Sequence, residues 1–209
     1  GGVKAIREAK MAGQVVYGET CPPYLTLTND VYQRDDGQNF IVHPPIREAK
    51  DMHEIWKGIA DGTITIIGTD DCAFTREQKK IADVFYKIPG GLPGIEVRLS
   101  MMYSEGVLKN RITLERLAEL TSTNPAKAYN IFPRKGAVMV GSDADLVVFD
   151  PKKEMTITGE ATHDMADWSP FEGWKVKGVP QMTISKGKVI VKDGEFLGKA
   201  GDGSFLARN

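Results

Sequence analysis

An α/β fold that gives way to short antiparallel strands is predicted by three observations. Residues 3–13 set Val3, Ile6 and Ala9 at helical spacing with Gly13 as a stop, and 14–19 follow as a short strand. Helix, short loop and strand in that order is the grammar of a parallel sheet. The same order recurs at 48–69, where an amphipathic helix stops at Asp61-Gly62 and the β-branched run Ile64-Thr65-Ile66-Ile67 begins. After residue 133 helical periodicity ends, and a Lys186-Gly187 hairpin and an Asp193-Gly194 turn mark short strands.

Each element has its own signals. Thr20-Cys21-Pro22-Pro23 breaks the first strand, and a polar, Gly-containing excursion at 28–39 leads to Phe40-Ile41-Val42-His43-Pro44-Pro45, whose prolines forbid helix and hold the chain extended. In the 48–60 helix, Met52, Ile55, Trp56 and Ile59 share one face, which leaves His53 on the surface. The 64–67 strand then delivers Asp70 to its C-terminal end, where barrel enzymes carry out chemistry. From these residues alone an Asp-rich exit turn reads equally well. A long connection to Gly91 follows, longer than compact domains keep without a functional reason. A helix begins near Ile95, with Met101 and Met102 as core filler; a second at 114–120 has Thr113 as N-cap, and a third starts with Asn124 as N-cap and Pro125 in its first turn. Asp143 and Asp145, ahead of the strand at 146–149, read as turn-fixing acids rather than metal ligands.

The composition excludes several functions. The 209 residues suit one or two domains, and 41% hydrophobic with 26% charged residues is ordinary for a soluble globular protein. A net charge of -1 offers no field for nucleic acid or an anionic membrane, so neither partner is expected. No apolar run approaches the roughly 18 residues needed to span a bilayer, and the start Gly1-Gly2-Val3-Lys4 lacks a signal-peptide core. A cytoplasmic location is expected. Cys21 and Cys72 form no CxxC pair and read as reduced thiols. The three histidines, His43, His53 and His163, form no H-x-H, so a metal centre built by these residues alone is not expected.

The string 64–99, with Gly68-Thr69-Asp70-Asp71-Cys72, Gln78-Lys79-Lys80 and Ile88-Pro89-Gly90-Gly91-Leu92-Pro93-Gly94, resembles the hydantoinase/dihydropyrimidinase branch of the cyclic amidohydrolases. Gly18-Glu19-Thr20-Cys21-Pro22-Pro23, His43-Pro44-Pro45-Ile46-Arg47, Thr121-Ser122-Thr123-Asn124-Pro125 and Gly141-Ser142-Asp143-Ala144-Asp145 agree with it. The resemblance implies that 1–133 are the C-terminal part of a (β/α)8 metal-dependent hydrolase barrel, and that 134–209 are strands of a small β-sandwich with a C-terminal tail. It implies two divalent metal ions, usually zinc, held by an H-x-H pair, two further histidines, a carboxylated lysine and one aspartate. That aspartate maps onto Asp70, which is implied to be both a metal ligand and the catalytic group that carries a proton from the attacking hydroxide to the departing ring nitrogen. Backbone groups at His43 and Gly90 are implied to bind the amide of the substrate ring, a hydantoin or dihydropyrimidine. Three departures stand out: His43 where Ser is usual, Gly90 where Asn is usual, and Asp71 where His or Asn is common.

Every other implied ligand would precede Gly1, and a whole barrel needs about 250 residues. The chain is therefore expected to be the C-terminal part of an enzyme of about twice its length and to be inactive alone. Its expected partners are the N-terminal portion of the same enzyme and further copies of itself, a homo-oligomer. The alternative is a non-catalytic, hydantoinase-like scaffold that acts through subunit interfaces.

Overall fold

The structure, a computed structural model, describes residues 1–208. Helix α1 (Gly2–Met11) leads through extended chain to strand β1 (Glu19–Thr20), which pairs in parallel with β2 (Ile66–Ile67). Both strands are shorter than the expected 14–19 and 64–69. Pairing is confined to the stretch where Gly18 O accepts from Thr65 N (2.9 Å) and Ile66 N (3.1 Å), and Gly68 N donates to Thr20 O (2.9 Å). Upstream of Gly18, Val15 and Tyr17 stand exposed, with no described strand beside them.

Between the two strands lie α2 (Pro22–Thr26), opened by its two prolines, and α3 (Ala49–Ala60). Trp56 on α3 is buried and its Nε1 donates to Leu25 O of α2 at 2.9 Å, so the apolar face read from the sequence is the one that packs. His53 lies on the outer face, its Nδ1 2.6 Å from Ala49 O.

The long connection is not featureless. Thr75 Oγ1 accepts from Gln78 N (3.2 Å) while Gln78 Oε1 accepts from Thr75 N (2.8 Å), a reciprocal cap that starts the one-turn helix α4 (Arg76–Lys79). Next come α5 (Arg98–Met102), which widens into a π-helical turn at Tyr103–Val107, and α6 (Leu114–Ala118), capped by Thr113 as expected. The third helix differs from the reading. α6 passes through a π-helical turn at Glu119–Thr123 straight into α7 (Asn124–Ala128), so Asn124 is the first residue of α7 and not its N-cap. Its Nδ2 instead donates to Thr65 O at 2.9 Å, and Arg98 Nη1 donates to Ile67 O at 3.1 Å. Carbonyls on the β2 edge that no strand takes up are satisfied by side chains, and this tertiary demand outweighs the local cap.

The last part is an antiparallel sheet in the order β3 (Leu146–Thr156), β4 (Lys175–Ser185), β5 (Lys188–Lys192), β6 (Glu195–Phe196). Both tight turns were legible. Lys186-Gly187 and Asp193-Gly194 each place two residues at positive φ (50° and 79°, 51° and 88°), as two-residue hairpin loops require. Asp145 Oδ1 accepts from Lys186 N (2.7 Å), and Lys135 pairs with both Asp143 and Asp145, so these acids fix the sheet's entry. The tail is tied to the hairpin by Lys188 and Asp202 (2.8 Å).

One apolar cluster joins Leu25, Phe40, Ile59, Ile67, Met101, Met102 and Leu120 to Ile157, Trp168 and Phe171, across residue 133. Met101 and Met102 are core residues, as read. Trp168 meets Phe40 edge-on at 5.6 Å and its Nε1 donates to Phe74 O at 2.9 Å, clamping the 159–174 segment over the connection that follows β2. No helix among the described residues is long and apolar enough to cross a membrane.

Candidate active site

β2 runs out through Gly68 and Thr69 to Asp70, an exposed residue with φ of 49°. Left-handed backbone costs a non-glycine residue roughly 1–3 kcal/mol and is most readily borne by Asn or Asp. Asp70 borders an open cavity of ≈ 660 Å³ together with Glu19, Cys21, Tyr24 and Pro44, so the C-terminal ends of both parallel strands reach the same hollow. Tyr24 Oη donates to Pro44 O at 2.8 Å, which ties α2 to the His43-Pro44 segment, and burial pushes the Tyr24 hydroxyl pKa up. Burial, reinforced by the Glu19 and Asp70 carboxylates, pushes the Cys21 thiol up to about 12. That thiol is protonated at neutral pH and unfit as a nucleophile.

Asp71 does different work. Its Oδ1 accepts from Gly94 N (2.8 Å) and Ile95 N (3.0 Å), and Cys72 N donates to Leu92 O (3.1 Å), so it pins the far end of the connection. The second acid of the pair is engaged away from the cavity, a role the sequence reading did not give it.

His43 and Gly90 come together. A Cβ built on Gly90 would lie 2.8 Å from His43 Nε2 and nearer still to Cδ2. The imidazole occupies the volume that a Cβ at position 90 would need. Gly90→Ala is expected to lower the midpoint of thermal unfolding, at an overpacking cost of about 1 kcal/mol, and His43→Ser in the same chain to restore most of it. An equal cost of Gly90→Ala with and without His43 would show that the imidazole does not fill that space.

Behind this pair sits a residue the sequence reading passed over. Lys79 is fully buried, and its Nζ donates to Ile41 O (2.8 Å) and Pro89 O (2.7 Å). The Thr75-to-Gln78 spacing is a capping-box signal that could have revealed α4. Nothing in a Gln-Lys-Lys string marks which lysine goes inside, since lysines rarely do. His163 lies elsewhere, its Nδ1 2.9 Å from Glu96 Oε2, and this contact raises its pKa.

Among the described residues, no group of three or more His, Cys, Asp or Glu side chains is placed to hold a metal ion. Asp70 offers one carboxylate, and the described residues do not by themselves fit a metal centre.

Known proteins resemble this chain over nearly all of its length. D-phenylhydantoinase of Escherichia coli is 42% identical over 209 residues, which is 99% of this chain and 45% of that protein. The crystal structure of dihydropyrimidinase from Brevibacillus agri superposes with a TM-score of 0.96 at 40% identity, and that of L-hydantoinase (dihydropyrimidinase) from Arthrobacter aurescens with 0.93 at 36%. Each likeness covers 99% of this chain and 46% of the solved one. The chain therefore spans less than half the length of the relatives it matches. A profile of the amidohydrolase family matches residues 14–190, and the chain belongs to that family.

Proposed function

We propose that the complete protein hydrolyses the ring amide of a hydantoin or a dihydropyrimidine, and that these residues form its C-terminal part. The observation that carries this reading is the likeness to hydantoinases, which covers 99% of the chain. On this reading residues 1–133 complete a (β/α)8 barrel and residues 134–209 contribute strands to a β-sandwich. Two divalent metal ions, zinc in the resembled enzymes, would supply Lewis acidity; Asp70 is one ligand and the rest lie outside the chain. Asp70 takes a proton from the water whose oxygen bonds to the ring carbonyl carbon. It returns that proton to the ring nitrogen as the C–N bond breaks, leaving an N–H on one side and, on the other, a carboxylic acid that loses the water's second proton to solvent as a carboxylate. The peptide groups at His43 and Gly90, on segments joined by the Gly91 N to Ile41 O hydrogen bond (3.0 Å), would bind the same amide. The open position of Asp70 supports this role, because a proton carrier must reach both water and substrate.

Assaying dihydrouracil and hydantoin separates the parts of this proposal. The complete protein is expected to open at least one ring and to lose that activity to a chelator. The 209 residues alone, supplied with zinc, are expected to open neither. Ring opening above background by the shorter chain would refute the division of ligands, and an intact upstream half with no activity on any cyclic amide would favour the scaffold reading.

A further inference from the structure

Lys79 is buried without a carboxylate partner among the described residues. Burial pushes its pKa from 10.5 down to about 8. A methionine or leucine would fill the same space without that cost, so what the ammonium does there must come from its donors. They reach two segments far apart in sequence. Ile41 O and Pro89 O each accept from Nζ, and Ile41 O also accepts from Gly91 N at 3.0 Å. The knot lies two residues before His43 and one before Gly90. The helix that carries Lys79 is itself held at its start: its cap is reciprocal, Arg76 N donates to Asp167 Oδ1 at 2.8 Å, and the Phe74 ring lies 5.5 Å from Nζ.

We infer that Lys79 is a positioning residue: its ammonium holds the 41–43 and 89–91 segments at a fixed separation, so that their peptide groups meet the ring of a cyclic amide together. This rests on the proposed function for the identity of the ligand, but not for the knot itself. Lys79 touches no reacting atom and acts through backbone that binds substrate before and during the reaction alike. Removing it should weaken binding of substrate and transition state to a similar degree, which raises KM and leaves kcat. A residue that merely kept the protein folded would do the reverse, lowering apparent kcat through loss of active molecules at constant KM.

The test uses the complete protein with dihydrouracil and hydantoin, as wild type, Lys79→Met and Lys79→Gln, with hydrogen exchange followed at the Gly91 amide. Lys79→Met is expected to raise KM roughly tenfold or more with kcat per folded site within about threefold, and to speed Gly91 exchange by a similar factor. Lys79→Gln, which keeps two N–H donors, should recover most of both. If Lys79→Met does not fold, the Gln variant carries the comparison, with a partial rise in KM and in Gly91 exchange expected. Unchanged KM despite faster Gly91 exchange, unchanged exchange, or a loss confined to kcat overturns the inference. If the wild-type protein opens no cyclic amide, the functional reading falls, and the Gly91 comparison alone decides whether Lys79 holds the two segments.

Discussion

Asp70→Ala in the complete protein is expected to lower turnover by at least the roughly 100-fold attributed to general acid–base catalysis, with loss of a metal ligand adding to it. Asp70→Asn keeps the shape and removes the proton acceptor, so it should be nearly as damaging. The neighbouring acid makes the control sharp. Asp71 accepts from Gly94 N and Ile95 N, and Asp71→Ala would leave two amides without their acceptor. That should cost about 1–3 kcal/mol of stability. Its effect on kcat at a temperature where the variant is folded should stay within about tenfold, since the carboxylate is committed to the loop. Thermal unfolding and steady-state kinetics on both variants separate the two roles. Equal losses of kcat would mean that the wrong carboxylate has been chosen or that both serve.

How far the site could be read in advance depended on whether a residue's role was local. The position of Asp70 just past β2 was legible because a helix stop, a β-branched run and an acid are consecutive in sequence. The hairpin turns were legible for the same reason: positive φ at Lys186-Gly187 and Asp193-Gly194 is a property of the dipeptide. Roles set by distant partners were not. Asn124 has every local mark of an N-cap, yet it serves the Thr65 carbonyl, 59 residues away. Lys79 reaches a carbonyl 38 residues away, and Asp71 acts on amides 23 and 24 residues ahead. His43 and Gly90 are far apart in sequence, and nothing local shows that the imidazole lies where a Cβ at position 90 would stand. The strand lengths were overestimated because β propensity was read without knowing which neighbours were present to pair.

The 209 residues in isolation are expected not to behave as a soluble monomer of 23.0 kDa. The argument turns on which surfaces the structure leaves open. The far edge of β2 is blunted, since Asn124 and Arg98 take the carbonyls of Thr65 and Ile67. β1 has no such cover: it pairs with β2 on one side only, and Val15 and Tyr17 stand 87% and 54% exposed just before it. A parallel strand is normally buried on both faces, and an open edge with apolar side chains beside it invites another chain. The Asp70 cavity borders β1 too, lined in part by Glu19 and Thr20, by Val3 and Ile6 of α1 and by Ile64. At the other end of the chain Phe196 and Phe205 are exposed at 61% and 93%, which gives a second place for association. Two-part expression supplies the decisive contrast. With the upstream half of the protein as a second chain, the β1 side should be covered, giving a defined complex with metal-dependent ring opening. Without it, light scattering should show oligomers or aggregate. A stable 23.0 kDa monomer in isolation would mean that the β1 edge and the cavity beside it need no partner, and would remove the structural ground for placing residues 1–133 in a larger barrel.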